Sequence, residues 1–147
     1  MMFMKEINYK RLSYYNITVA IYKSQNEIRT ILQKFGLKGI RFTDLVNYGI
    51  LEFILSKNNK EMAFRFQYKL SENEKINKQI YRCLFYYLKN RFMAIEFGIK
   101  KIEEEFFQEL LLKLPDGSTK TIREIVSNQL DNLEYESKLE LPFKEKV

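Results

Sequence analysis

Apolar residues recur in steps of three and four from Glu74 to Leu112, at Ile76, Ile80, Cys83, Leu84, Tyr87, Leu88, Ile95, Ile99, Ile102, Phe106 and Leu110. That spacing marks one face of an α-helix. The stretch holds no Pro, and its only Gly is Gly98. As a continuous rod it would run roughly 55–60 Å, so the pattern predicts a long helix over about 74–112 that organises everything else. Gly98 costs such a helix about 1 kcal/mol relative to Ala and marks a close helix contact or a bend.

Earlier in the chain the period changes. From Tyr15 the pattern alternates, with Tyr15, Ile17, Val19 and Ile21 against Asn16, Thr18, Ala20 and Tyr22, and this predicts a strand. Ser24-Gln25-Asn26-Glu27 reads as a capping box opening a helix over about 25–35, with Ile28, Ile31, Leu32 and Phe35 inward and Gly36 as its cap. Three strands follow, at Gly39–Thr43, Ile50–Leu55 and Glu61–Leu70, with Asn58 and Asn59 in the second turn. Ile50–Leu55 is apolar on nearly both faces, which predicts the central position. Leu114-Pro115-Asp116-Gly117 is a turn, and Thr121-Ile122-Arg123-Glu124 is a second capping box opening a helix over about 122–133. From about Glu134 a charged tail ends in Leu139, Leu141, Pro142 and Phe143, predicted to be extended and to dock on a neighbour. The expected fold is α+β: a small antiparallel sheet of three to four strands, covered on one face by the long helix and flanked by two shorter ones.

At 147 residues, 46% hydrophobic and without repeats or linkers, the chain reads as one domain, 1–147. No window is long and apolar enough for a membrane span, and Met1–Met4 is too short for a signal segment, so a cytoplasmic protein is expected. Charge sharpens the picture. Residues 1–70 hold 12 Lys/Arg against 5 Asp/Glu, a balance of +7, while the remainder sums to −1. A basic field attracts nucleic acid or acidic partners, although a solvated surface gives the same count.

The available chemistry is thin. There is no His, and the one Cys, Cys83, sits on the apolar stripe, where a small core residue is expected. Most triads and zinc sites are thereby excluded, and no Gly-rich phosphate loop exists. Glu103, Glu104 and Glu105 form the one acidic cluster, but consecutive helical positions fan about 100° apart and cannot converge on an ion. Pairing with Lys100 and Lys101 at i,i+4 is the expectation instead. No catalytic residue, metal or cofactor is therefore expected, and the protein reads as a non-enzyme.

Binding surfaces are better represented. Arg41, Arg65 and Lys69 fall on the polar face of the strands, where they would neutralise phosphate. Phe64, Phe66 and Tyr68 are expected beneath the long helix, which leaves Tyr9, Tyr48 and above all Tyr14, Tyr15 and Tyr22 as candidate stackers for bases. Phe85, Phe92 and Phe97 form a second apolar set off the main stripe, predicting a homodimer or another protein partner through the helix.

Several motifs in residues 64–143 carry a resemblance: Phe64-Arg65-Phe66, Tyr81-Arg82, the run Lys89 to Gly98, Glu103 to Phe106, Leu114 to Thr119, and Leu141-Pro142-Phe143. On these the chain resembles a family of small bacteriophage and prophage proteins, which have Trp at the position of Tyr81. The resemblance implies phage or mobile-element origin, hence the host cytoplasm, and a role in DNA transactions or in blocking host defences. Together with the charge pattern it leads to the expectation of a single-stranded-DNA-binding protein. The alternative is a protein-interaction module, such as an inhibitor of a host defence or replication protein.

Overall fold

Alternating hydrophobic positions produce a three-stranded antiparallel sheet, β1 (Lys38–Asp44), β2 (Tyr48–Lys57) and β3 (Lys60–Lys69), in the order β1-β2-β3. The computed structural model describes residues 6–139. The expected docking tail at Leu141–Phe143 lies outside the described residues, as does Met1–Lys5. In β2, Leu51, Phe53 and Leu55 are buried and face Phe66, Phe64 and Met62 of β3 across the ladder. The β2–β3 turn places Asn58 and Asn59 at φ of 53° and 61°, the left-handed pair that a two-residue hairpin requires. A bulge between Lys38 and Arg41 bends β1, with Gly39 at φ of 60°.

Two helices cover one face of this sheet: α1 (Ile21–Lys34) and α2 (Glu74–Glu96). Asn73 caps α2, its Oδ1 accepting the Lys75 N–H at 2.9 Å. Tyr81, Leu84, Leu88 and Phe92 of α2 meet Ile28 and Leu32 of α1 and the inner row of the sheet in one core. Phe106 closes it, edge-on to Phe53, Phe64 and Phe66 at ring separations of 5.6–6.3 Å.

Three expectations are corrected here. First, no strand forms over Tyr15–Tyr22; α1 begins at Ile21 with Ala20 as its cap. The alternation there is real, but the segment has no pairing partner in the sheet. Second, Ser24 and Glu27 do not make a capping box. Ser24 lies inside α1, fully buried, in phase with Ile21, Ile28 and Leu32. Both residues instead receive the Arg82 guanidinium, Ser24 Oγ at 3.3 Å and Glu27 Oε2 at 2.6 Å.

Third, the rod over 74–112 is broken. Gly98 has φ of 74°, the Gly98 N–H donates to the Ile95 carbonyl and the Ile99 N–H to the Ala94 carbonyl, both at 3.0 Å. That double bond with a left-handed glycine is a Schellman stop. The chain then doubles back through α3 (Ile102–Glu105) into β4 (Leu111–Lys113) and β5 (Thr119–Thr121), which form a separate hairpin. The apolar period continued past the stop because Ile102, Phe106 and Leu110 return to the same core from a new direction. The final helix, α4 (Ile122–Ser127), is shorter than 122–133 but carries the expected capping box. Glu124 N–H donates to Thr121 Oγ1 at 3.2 Å, and Thr121 N–H to Glu124 Oε1 at 3.3 Å.

Candidate functional site

The outer face of the sheet is uncovered among the described residues. Across it Arg41, Glu52 and Arg65 stand side by side on the three strands. Arg41 Nη2 reaches Glu52 Oε1 at 2.6 Å, and Arg65 Nη2 reaches Glu52 Oε2 at 2.9 Å. Burial pushes the Glu52 carboxyl up, but the two guanidinium groups outweigh it and hold the group below its ordinary value. Lys38 is paired with Glu61 at 2.7 Å. Lys69, cross-strand from Tyr48, is exposed and makes no ion pair among the described residues. The face is thus cationic overall but half-neutralised.

The tyrosines expected beside these cations are elsewhere. Tyr14 stacks on Tyr86 of α2, with centroids 5.1 Å apart. Tyr15 lies under the Lys75 ammonium at 4.2 Å. Tyr22 is on α1 and 69% exposed. Arg41, Arg65 and Lys69 share one surface, whereas Tyr14, Tyr15 and Tyr22 share the helical side; the six do not form one platform, although Arg65 and Tyr14 line one groove. The expected interface set also divides. Phe92 is 1% exposed and packs on Phe35 and Phe106, so it belongs to the core and cannot face a partner. Phe85 is half-buried under the Arg82 guanidinium at 4.2 Å. Phe97 alone projects, 76% exposed, next to exposed Ile99.

The acidic cluster is consumed by structure. Glu103 pairs with Lys57 at 2.6 Å, Glu105 with Arg91 at 2.9 Å, and Glu104 Oε1 accepts the Lys101 N–H at 3.3 Å. The expected partners Lys100 and Lys101 do not take up Glu104 and Glu105 by side chain, because the break at Gly98 removes the helical register between them. No group of three or more metal-ligating side chains gathers among the described residues.

A site that the strand and helix patterns did not show lies along the outer edge of β3. There a groove of about 870 Å³ opens between Arg65–Tyr68 of β3, the Gln79–Tyr87 face of α2, the Tyr9–Tyr14 segment and the first turn of α4. Its volume falls in the range of ligand and peptide sites. Ile80, Cys83 and Leu84 give it an apolar floor. Cys83 is exposed, not buried in the core as expected, because the α2 stripe is wider than the sheet that covers it.

Gln79 and Glu109 bound the groove, 2% and 3% exposed. The Gln79 amide donates to the carbonyls of Tyr9 and Ser13, each at 2.9 Å, and so straps the N-terminal segment to α2. Glu109 Oε1 accepts from Arg91 at 2.9 Å and from Arg123 at 3.1 Å. Gln79 Oε1 and the second Glu109 oxygen, Oε2, are buried and have no hydrogen-bond partner among the described residues, and the same holds for Glu103 Oε2 away from the groove. Orphaned buried acceptors are rare, since each costs about 1–3 kcal/mol. Tyr14, also on the groove wall, holds φ of 68°, uncommon for a bulky residue. A signal for part of this site was present in the sequence: Gln79, Cys83 and Tyr87 recur at i,i+4 with mixed polarity, marking the margin of the apolar stripe.

Among the described residues no helix is long and apolar enough to cross a membrane. Compared with known protein-family models, with curated proteins and with solved structures, the chain matches none.

Proposed function

We propose that this protein is a non-enzymatic interaction module that holds a protein partner in the groove between α2 and the edge of β3. One observation carries the reading: an apolar groove runs beside a strand edge that no described strand covers beyond Arg65. Exposed strand edges are templates for pairing, and folded proteins normally blunt or occupy them. Of the three buried side-chain acceptors without a partner among the described residues, two belong to residues that line the groove, which supports it. A role against a host defence or replication protein, as the phage-family resemblance implies, fits such a module.

The test uses affinity capture from a nuclease-treated lysate of the source organism, comparing the native chain with Cys83→Arg. The substitution puts a charge on the groove floor at an exposed position, so the fold should be retained. A stoichiometric protein bound by the native chain and lost by the variant is expected. Equal capture by both, or recovery of partners only when nucleic acid is left intact, would count against the reading.

A second reading, binding of single-stranded nucleic acid, is favoured by Arg41, Arg65, Lys69 and Tyr48 on the uncovered sheet face. It draws on phosphate neutralisation more than on base stacking, since only Tyr48 offers a ring there. Its signature is oligonucleotide affinity that falls steeply with salt as counterions are released.

A further inference from the structure

We propose that the groove takes an extended polypeptide segment of about four residues, alternating apolar and acidic side chains, which adds to β3 as a new edge strand. This deepens the interaction-module reading and rests on it. The backbone supplies the first reason. Asn58 and Asn59 form a two-residue turn, so Lys57 and Lys60 close the hairpin as a doubly hydrogen-bonded pair. Such pairs alternate along an antiparallel ladder, giving Leu51 with Phe66 and Gly49 with Tyr68. The Leu70 N–H on the Asn47 carbonyl at 3.0 Å keeps the same phase. Gln67 and Lys69 therefore turn their N–H and C=O groups away from β2, toward the groove side. The one β-bridge on this edge among the described residues, Phe64 with Leu110, is short of both. Backbone donors and acceptors at strand spacing select another extended backbone over a nucleic acid or a compact small molecule.

Side-chain chemistry gives the pattern. On an added strand, alternate side chains point to opposite faces. One set would descend to Ile80, Cys83 and Leu84, which favours apolar residues. The other would emerge on the open face beside Arg65, which already holds Glu52, and Lys69, which makes no ion pair among the described residues; Lys69 favours Asp or Glu opposite it. The length follows from the groove wall: Gln79 and Tyr87 of α2 both line it, a rise of about 12 Å. That is the reach of about four extended residues.

The probe is a capped heptapeptide alternating Glu and Val, and the readout is alkylation of Cys83, the only thiol in the chain and one that lines the groove. Saturable slowing of alkylation is expected. The matching Lys–Val peptide should bind at least about tenfold more weakly, a difference of about 1.4 kcal/mol. Gln67→Pro should abolish protection, because it removes an edge-facing N–H at a position where an edge strand tolerates Pro. Should that variant fold poorly, methylating alternate backbone nitrogens of the peptide makes the same test on the native chain. Absence of slowing at millimolar peptide would overturn the proposal. So would equal protection by the Lys peptide, or protection indifferent to both backbone changes. The same edge covered by self-association in sedimentation would overturn it in favour of a second copy. Failure here with partner capture still lost in Cys83→Arg would leave the interaction module standing and refute only strand addition.

Discussion

Arg91 is the residue on which three separate parts of the chain converge. Its Nε donates to Glu105 at 2.9 Å, its Nη1 to Glu109 at 2.9 Å and to the Tyr87 hydroxyl at 2.8 Å, and its Nη2 to the Glu105 carbonyl. The guanidinium also lies 4.6 Å from the Phe106 ring. Burial disfavours the cation, but Glu109 and Glu105 more than compensate, and Arg91 is held above its ordinary value. Removing one member of a buried charge pair strands the other. Arg91→Ala should therefore lower the unfolding free energy by about 3–5 kcal/mol in urea denaturation. Arg41→Ala, at an exposed pair, should change it by under about 1 kcal/mol in the same assay. The Arg91 contacts were not legible in the sequence. Charges were matched there at i,i+4 along a helix, which pairs Lys101 with Glu105. The actual partner of Glu105 comes from Arg91, across a reversal of the chain that helical periodicity cannot encode.

At the scale of elements, the reversal itself is testable. A Cβ at Gly98 would meet nothing within 4 Å, so substitution there is a matter of backbone conformation alone. Gly98→Ala should cost about 1–2 kcal/mol, the left-handed penalty, as a lowered urea midpoint with an unchanged slope. The elements that were legible are those whose signals are local: the three strands, the Asn58–Asn59 turn, the Thr121 cap and the glycine after α1. Tyr15–Ile21 has an equally good local alternation and still forms no strand: it pairs with neither edge of the sheet, and Ile21 already opens α1. Ser24 shows the same limit from the other side. Its capping chemistry is sound in isolation, yet a buried Arg82 was a stronger claimant for its hydroxyl. The β3 groove is not legible in the sequence for a related reason. It is made by the edge of one element and the margin of another, and neither has a periodicity of its own.

For the molecule as a whole, the pattern of ionisable groups dictates how stability varies with pH. With no histidine, the side chain that ordinarily changes charge between pH 5 and 8 is missing. A flat stability plateau is expected there. At the alkaline end the Tyr68 hydroxyl donates to Tyr81 at 3.0 Å, and Tyr81 donates to Asp44. Burial and then the Asp44 carboxylate push Tyr81 up to about 12, and burial raises Tyr68 as well. Groups raised in the folded state stabilise fully below the unfolded value near 10 and lose that contribution as pH climbs past it. The unfolding free energy from urea denaturation should accordingly fall between about pH 10 and 12, by about 2–3 kcal/mol from Tyr81, and Tyr81→Phe should flatten that limb. Glu52 acts in the opposite sense: its lowered value gives stability above the ordinary carboxylate range that is lost as pH falls through it. The strap made by Gln79 has a consequence of another kind, in time. Closing a loop from Ser13 to Gln79 is entropically slow compared with the hairpins and helix turns between them. During synthesis the early segment emerges long before its anchor exists, so it waits untethered until the middle of α2 has left the ribosome. The groove wall it provides is then among the last features of the native state to be assembled, and among the first to be lost when the molecule begins to open.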